Sequence, residues 1–324
     1  MTGQLSIAKA LNEALRKSLE SDPKTVLMGE DIGKLGGVFR ITDGLQKDFG
    51  DDRVIDTPLA EAGIMGTAIG LALRGYRPVV EIQFDGFVYP AFDQIVCQLA
   101  KMHARALGHV KLPITVRIPY GGGIGAVEHH SESHESYFAH TAGLRVVTPS
   151  NAHDAHWMLR QSIESDDPVI FLEPKRRYWD KGEVGDDPMI PLHSARVVRP
   201  GTDATLIAYG PMVKVCQEAA AAAEEDGRRL EVVDLRSLSP IDFATLEESV
   251  KRTGRGIVVH EAPVFMGIGA ELAARLTEKC FFHLEAPILR VGGYFAPYPP
   301  SRVEESFLPD LDRVLDAVDR ALAF

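Results

Sequence analysis

The stretch DTPLAEAGIMGTAIGLALRGYRPVVEIQF, residues 56–84, decides how this chain is read. Its first half has the composition of a helix with almost no polar groups, which Thr57 can cap and Pro58 can open. Its second half, YRPVVEIQF, is a short apolar run of the kind that forms a buried strand. A helix feeding a buried strand is one unit of an α/β layer, and the pattern repeats outward in both directions. Upstream, a helical N-terminus with Ile7, Leu11, Ala14 and Leu15 on one face precedes the strand-like KTVLMGED. Downstream, a helical AFDQIVCQLAKMHARAL leads to LPITVRIP and LRVVTPS, and a helical NAHDAHWMLRQSIES leads to PVIFLEP. This alternation predicts an α/β fold with a mostly parallel sheet flanked by helices.

A second series follows. Composition turns charged, Gly- and Pro-rich and aperiodic after Arg177, which places domain one at residues 1–185, a linker at 186–200 and domain two at 201–324. In the second part ATLIAYG, RLEVVDLRSLSP and RGIVVHEA read as strands. MVKVCQEAAAAAEEDG and FATLEESVKRTG read as helices closed by Gly227 and Gly254.

The opening helix raises a chemical question. Glu61 sits in its first turn, and a buried carboxylate costs several kcal/mol unless something pairs with it. Ala62, Gly66 and Gly70 recur every four residues and form a smooth side that another helix can approach closely. Two readings stand: a tight core helix whose Glu61 favours the positive helix end, or a functional carboxylate beside a packing face.

Composition excludes several classes. With 324 residues, 45% hydrophobic and 25% charged, the chain is of ordinary globular make-up, and its net charge of −11 opposes nucleic acid or an anionic membrane as partner. Three scattered cysteines, without a CxxC pair, form neither a disulfide framework nor a zinc ribbon and fit a reducing, cytoplasmic setting. The N-terminus lacks the apolar core of a signal peptide, and no apolar window is long enough to span a bilayer.

Three further stretches carry chemistry beside plainer readings. EHHSESHESYFAH, residues 128–140, holds four histidines, with His130 and His134 four apart. It reads as a metal site, a solvated loop, or the seat of a proton-exchanging histidine. YGGGIGA, residues 120–126, follows a strand but lacks GxGxxG and a nearby lysine, so a tight turn is preferred over a phosphate cradle. His260 and Glu261 end a strand, where α/β sheets often place function.

Taken together, GEDIGKLGGVFRITDGL, RVIDTPLAEAGI, EIQFDGFVYPAFDQIV, HHSES with FAHTAGLRVV, and DPVIFLEPKRRY stand in the order and spacing of a known family. The chain resembles the β subunit of the thiamine-diphosphate-dependent decarboxylating component of 2-oxoacid dehydrogenase complexes. Its second half, with VVDLRSLSPID and GRGIVVHEAP, is similar to the transketolase-type C-terminal domain of that subunit.

The resemblance implies a pyrimidine-binding domain followed by a transketolase C-terminal-like domain. It implies that Glu61 bonds N1′ of the cofactor's aminopyrimidine and exchanges a proton there, with Phe87 against the ring and Leu59 and Gln83 lining it. His130 aligns with the histidine assigned to acyl transfer onto lipoyl, although the family's His-Ser-Gln reads His130, Ser131, Glu132 here. Ile114, Ser162, Ile163, Ser165 and Asp167 match a structural potassium site, with Ser165 where others carry Asp. The family's Gly-Asp-Gly motif for Mg²⁺ and diphosphate occurs nowhere in the chain. The resemblance therefore implies a separate α subunit, a heterotetramer of two α and two β chains, and a lipoyl-bearing acyltransferase. Branched-chain 2-oxoacids are the expected substrates, with pyruvate and acetoin as alternatives. A non-catalytic scaffold and a single-chain transketolase-like enzyme are the rivals of other kinds.

Overall fold

A computed structural model describes residues 3–324, and the chain divides into two compact units. The first comprises the chain up to Tyr120 together with Tyr137–Leu192. The second comprises Gly121–Ser136 and His193–Phe324.

In the first unit the strands are β1 (Gly3–Ser6), β2 (Thr25–Gly29), β3 (Val54–Asp56), β4 (Arg77–Glu81), β5 (Thr115–Tyr120), β6 (Arg145–Val147), β7 (Val169–Pro174) and β8 (Lys181–Val184). Strands β3-β2-β4-β5-β7-β6 lie side by side in that order, every pair parallel. All residues of β2, β5 and β7 are buried, which is why these strands read as continuous apolar runs rather than alternating ones. The antiparallel pair β1–β8 stands apart.

The helix Ile7–Ser21 is capped by Ser6, whose hydroxyl accepts the Lys9 N–H. It buries Ile7, Leu11, Ala14 and Leu15 completely, as its spacing predicts. They share one core with Ala155, Met158 and Leu159 of the helix Ala152–Glu164. The stretch 91–107 is less regular than its periodicity predicts. A π-helical segment, Gln94–Leu99, interrupts the α-helical turns Tyr89–Asp93 and Ala100–Arg105.

The second unit contributes β9 (Arg196–Arg199), β10 (Ala204–Ala208), β11 (Leu230–Asp234), a short strand β12 (Ser237–Ser239), β13 (Gly256–Pro263) and β14 (Leu289–Gly293). Its sheet runs β14-β13-β10-β11-β9, parallel except for the antiparallel edge strand β9. The run RLEVVDLRSLSP is two strands rather than one, because Arg236 adopts a left-handed φ of 57° and breaks the ladder. Helices Met212–Glu225 and Leu311–Leu322 pack Ala219, Ala220, Val314 and Val318 into one core with Leu206, Val232 and Val259. Gly254 closes the helix Phe243–Thr253 in the left-handed conformation, as expected of a C-terminal glycine.

Candidate active site

In the first sheet the chain passes from β2 outward to β3, then returns to β4 on the other side of β2. The crevice at the carboxyl ends of β2 and β4 is therefore the topological switch point, where open α/β sheets receive ligands. Three connections meet there. Glu30 and Asp31 follow β2, Thr57 to Ala60 follow β3, and Ile82 and Gln83 follow β4.

The helix after β3 does not start as its sequence predicts. It runs Glu61–Leu73, with Ala60 as N-cap and no side-chain cap. The Thr57 N–H donates to the Gly29 carbonyl at 3.0 Å, continuing the β2–β3 pairing, and because the helix opens only at Glu61 the Thr57 side chain does not cap it. Leu59 is consequently 81% exposed. Glu61 becomes the first helical residue, at the positive helix end, and is 9% exposed.

Glu30 faces it. Its side chain is buried, and its Oε1 has no hydrogen-bond partner among the described residues. Burial pushes the Glu30 carboxyl up, and the charges of Glu61 and Asp31 push it further against a bond from the Ala60 backbone. Gln83 Nε2 lies 3.5 Å from the Glu30 carbonyl and 3.4 Å from Asp31 Oδ2. Two carboxylates, one driven toward its protonated form, thus share the crevice with an amide. Sequence reading missed Glu30; its signal was an acidic residue at the end of an apolar strand, GED at 29–31.

Phe87 lies in the single turn Asp85–Val88, half-buried, its ring edge-on to Phe84 at 5.8 Å. Phe84 continues to Phe39 at 5.4 Å and Phe39 to Tyr178 at 5.0 Å, forming an aromatic wall. A buried charged frame holds this region. Asp85 Oδ1 meets Lys175 Nζ at 2.8 Å with both side chains fully buried. Arg117 bridges Glu81 and Glu173, at 2.7 Å to each, and Tyr178 donates to Glu173 at 2.6 Å.

His130 belongs to the second unit, in a 3-10 turn Glu128–His130 within the segment 121–136. It is half-buried, with the His129 ring 4.4 Å away. His134 is buried and its Nε2 lies 3.2 Å from the Glu132 carboxylate, so the acid that replaces the family's glutamine is held by a histidine. Among the described residues no three His, Cys, Asp or Glu side chains converge into a metal-binding set. Nor is any helix among them long and apolar enough to cross a membrane.

The positions matched to potassium lie around the end of the helix Ala152–Glu164. The carbonyls of Ile163 and Ser165 accept from Arg77 at 3.2 and 3.0 Å, that of Ser162 accepts from Ser165, and that of Ile114 accepts from Val169. Asp167 pairs with Arg145 at 2.9 Å. Each carbonyl keeps a second lone pair, but the Arg77 guanidinium already brings a positive charge to those of Ile163, Glu164 and Ser165.

Comparison with known proteins agrees with this layout. Residues 3–180 match the transketolase pyrimidine-binding domain and residues 193–314 the transketolase C-terminal domain. The chain is 61% identical to a pyruvate dehydrogenase E1 component subunit beta of Leifsonia xyli, covering 99% of this chain and 95% of that one. It is 53% identical to a 3-methyl-2-oxobutanoate dehydrogenase subunit beta of Mycobacterium tuberculosis, covering 99% and 93%. It is 46% identical to a 2-oxoisovalerate dehydrogenase subunit beta of Pseudomonas aeruginosa, covering 98% and 95%. A solved split-gene transketolase in an inactive beta4 tetramer shares the fold, with a TM-score of 0.80 and 24% identity over 99% of both chains. With the switch-point carboxylates and both domain types in place, the chain belongs to the transketolase-like family and, within it, to the β subunits of the thiamine-diphosphate-dependent 2-oxoacid dehydrogenases.

Proposed function

We propose that this chain is the β subunit of a branched-chain 2-oxoacid dehydrogenase of the 3-methyl-2-oxobutanoate type. It works with an α subunit carrying the Gly-Asp-Gly motif for diphosphate and Mg²⁺, in a heterotetramer of two α and two β chains. The observation that carries the reading is the carboxylate pair at the switch point. Glu30 has a buried oxygen without a donor among the described residues, and Glu61 stands at a helix N-terminus beside it. A buried acceptor of that kind calls for a donor from a ligand. An aminopyrimidine, which carries both donors and acceptors, fits.

Thiamine diphosphate, when bound, supplies the nucleophilic carbon and the electron sink for loss of carbon dioxide. The chain's own residues supply proton handling and placement. Glu61 holds or releases a proton at the pyrimidine nitrogen N1′. Phe87 presents an aromatic face, Leu59 an exposed apolar side chain, and Gln83 an amide that fixes the third connection. His130 is assigned to acyl transfer onto the lipoyl group of an acyltransferase. Ile114, Ser162, Ile163, Ser165 and Asp167 offer a structural potassium site. A cytoplasmic setting accords with the scattered free cysteines.

The smooth face of the Glu61 helix supports the need for a partner. Ala62, Gly66 and Gly70 are exposed, and no described residue lies within 4 Å of a Cβ placed at Gly66 or Gly70. A helix apolar all round is normally covered on every side.

The aromatic wall Phe87–Phe84–Phe39 with the bare Leu59 favours a bulky apolar acyl group, as do the relatives named for branched acids. Pyruvate is the second reading, favoured by the relative at 61% identity. The test is decarboxylation of 3-methyl-2-oxobutanoate against pyruvate, at matched concentrations, by the native complex purified through this chain. Faster turnover of the branched acid is expected. Faster turnover of pyruvate moves the assignment to the second reading, and turnover of neither overturns both.

A further inference from the structure

The glycine-rich segment after β5 is built like an anion cradle and filled by the chain itself. Gly121, Gly123 and Gly125 adopt left-handed φ values of 81°, 84° and 70°. Left-handed residues interleaved with others turn successive backbone N–H groups to one side, the arrangement that captures anions. Here the anions are two buried carboxylates. Glu304 takes the N–H of Gly123 on Oε1 and that of Gly125 on Oε2, each at 2.9 Å, and Glu261 takes the N–H of Gly122. Glu304 is 6% exposed and Glu261 5%. Tyr298 donates to Glu304 at 2.6 Å, and a Cβ on Gly122 would collide with the Tyr298 hydroxyl, so only glycine lets the loop seat. The other arm is pinned as well, since the Gly121 N–H donates to the Glu132 carbonyl at 2.9 Å. His130 lies between the two pins.

We infer that Glu304 and Glu261, with Tyr298 behind Glu304, are positioning residues that clamp the segment 121–132 and so fix where His130 is presented. This rests on the assignment of His130 to acyl transfer. Bidentate, charge-assisted bonds to backbone amides are strong and directional, and both carboxylates are withheld from water, which strengthens them further. The nest is also closed to phosphate, since its donors are spent on side chains from the far end of the sequence.

The test uses the complex of this chain with its partner subunits and the variants Glu304→Ala, Glu304→Gln, Tyr298→Phe and His130→Ala. Glu304→Ala is expected to speed hydrogen exchange of the 121–125 amides roughly tenfold or more. It should lower kcat for lipoyl acylation by a similar factor, while cofactor affinity and KM for the 2-oxoacid stay within about twofold. Glu304→Gln, which keeps one acceptor oxygen, is expected to recover part of both. Wild-type exchange in Glu304→Ala overturns the clamp. So does mobilised exchange with unchanged transfer where His130→Ala loses transfer. Loss of transfer in Glu304→Ala but not in His130→Ala upholds the clamp and overturns the assignment of His130. If Glu304→Ala does not assemble, Tyr298→Phe removes only the hydroxyl behind Glu304 and carries the same comparison.

Discussion

Replacing Lys175 with methionine tests whether the buried ion pair beneath the aromatic wall holds Phe87 in place. Lys175 Nζ and Asp85 Oδ1 lie 2.8 Å apart with neither side chain exposed. Methionine keeps most of the apolar stem and removes the ammonium that meets the buried Asp85 carboxylate. Breaking a buried pair from one side costs about 3–5 kcal/mol. For a unit of this size each kcal/mol lowers Tm by about 2–4 °C, so the complex should lose roughly 6–20 °C. Asp85 opens the turn Asp85–Val88, so turnover should fall as well, because Phe87 rides on that turn. Adding Asp85→Asn removes the carboxylate's charge as well and should restore a large part of both. The assays are thermal unfolding followed by circular dichroism and 2-oxoacid turnover. A Tm for Lys175→Met within about 2 °C of wild type, or a double variant no better than the single one, would refute the reasoning.

Glu61→Gln keeps the side chain's shape and removes its proton chemistry, so the reconstituted complex should assemble and lose roughly 10²–10⁴-fold in turnover; unchanged turnover would leave the scaffold reading standing. The chain without its partner should bind thiamine diphosphate weakly, because the Gly-Asp-Gly half of the site is absent from its sequence; tight binding by calorimetry would contradict a shared site. His260 is fully buried, and burial lowers its pKa to about 4 from 6.5, with the Arg290 charge acting in the same sense. The unfolded chain therefore binds the extra proton first, and stability should be lost as pH falls from about 6.5 toward 4, by about 3 kcal/mol at most. Glu81 and Glu135 are pushed up by burial and act oppositely, stabilising the fold as pH falls. The comparison of wild type with His260→Gln isolates the histidine, and an equally steep acid limb in both would show that His260 is not its source.

Much of the fold was legible because burial on both faces leaves an unmistakable mark. β2, β5 and β7 are apolar from end to end, and the helix Ile7–Ser21 buries the residues its period indicates. What escaped depends on contacts distant in sequence. β3 is three residues long, too short to announce itself, and β14 is buried only in its last three residues, so neither leaves a continuous apolar run. Thr57 looked like a cap because local chemistry favours it there, yet its N–H is drawn to Gly29, twenty-eight residues earlier. In the candidate site Glu61 was legible as an isolated acid in an apolar helix, whereas Glu30 matters through its neighbours. The clamp on Gly122 to Gly125 joins residues up to 181 positions apart, so only its glycines could be read in advance.

The bare side of the Glu61–Leu73 helix changes what surface exposure means in this chain. Positions such as Gly66 and Gly70 look free to vary when the chain stands alone, with open space beyond them. Once a second helix lies against that side, the same positions become the least forgiving in the molecule, and a single added methyl group would hold the partner off. Glu61, which begins that helix, is already withheld from water in the chain alone, so a subunit kept at a distance would cost the other half of the site rather than the burial of the carboxylate. Activity would then arrive together with assembly, and an orphaned copy would stay chemically silent.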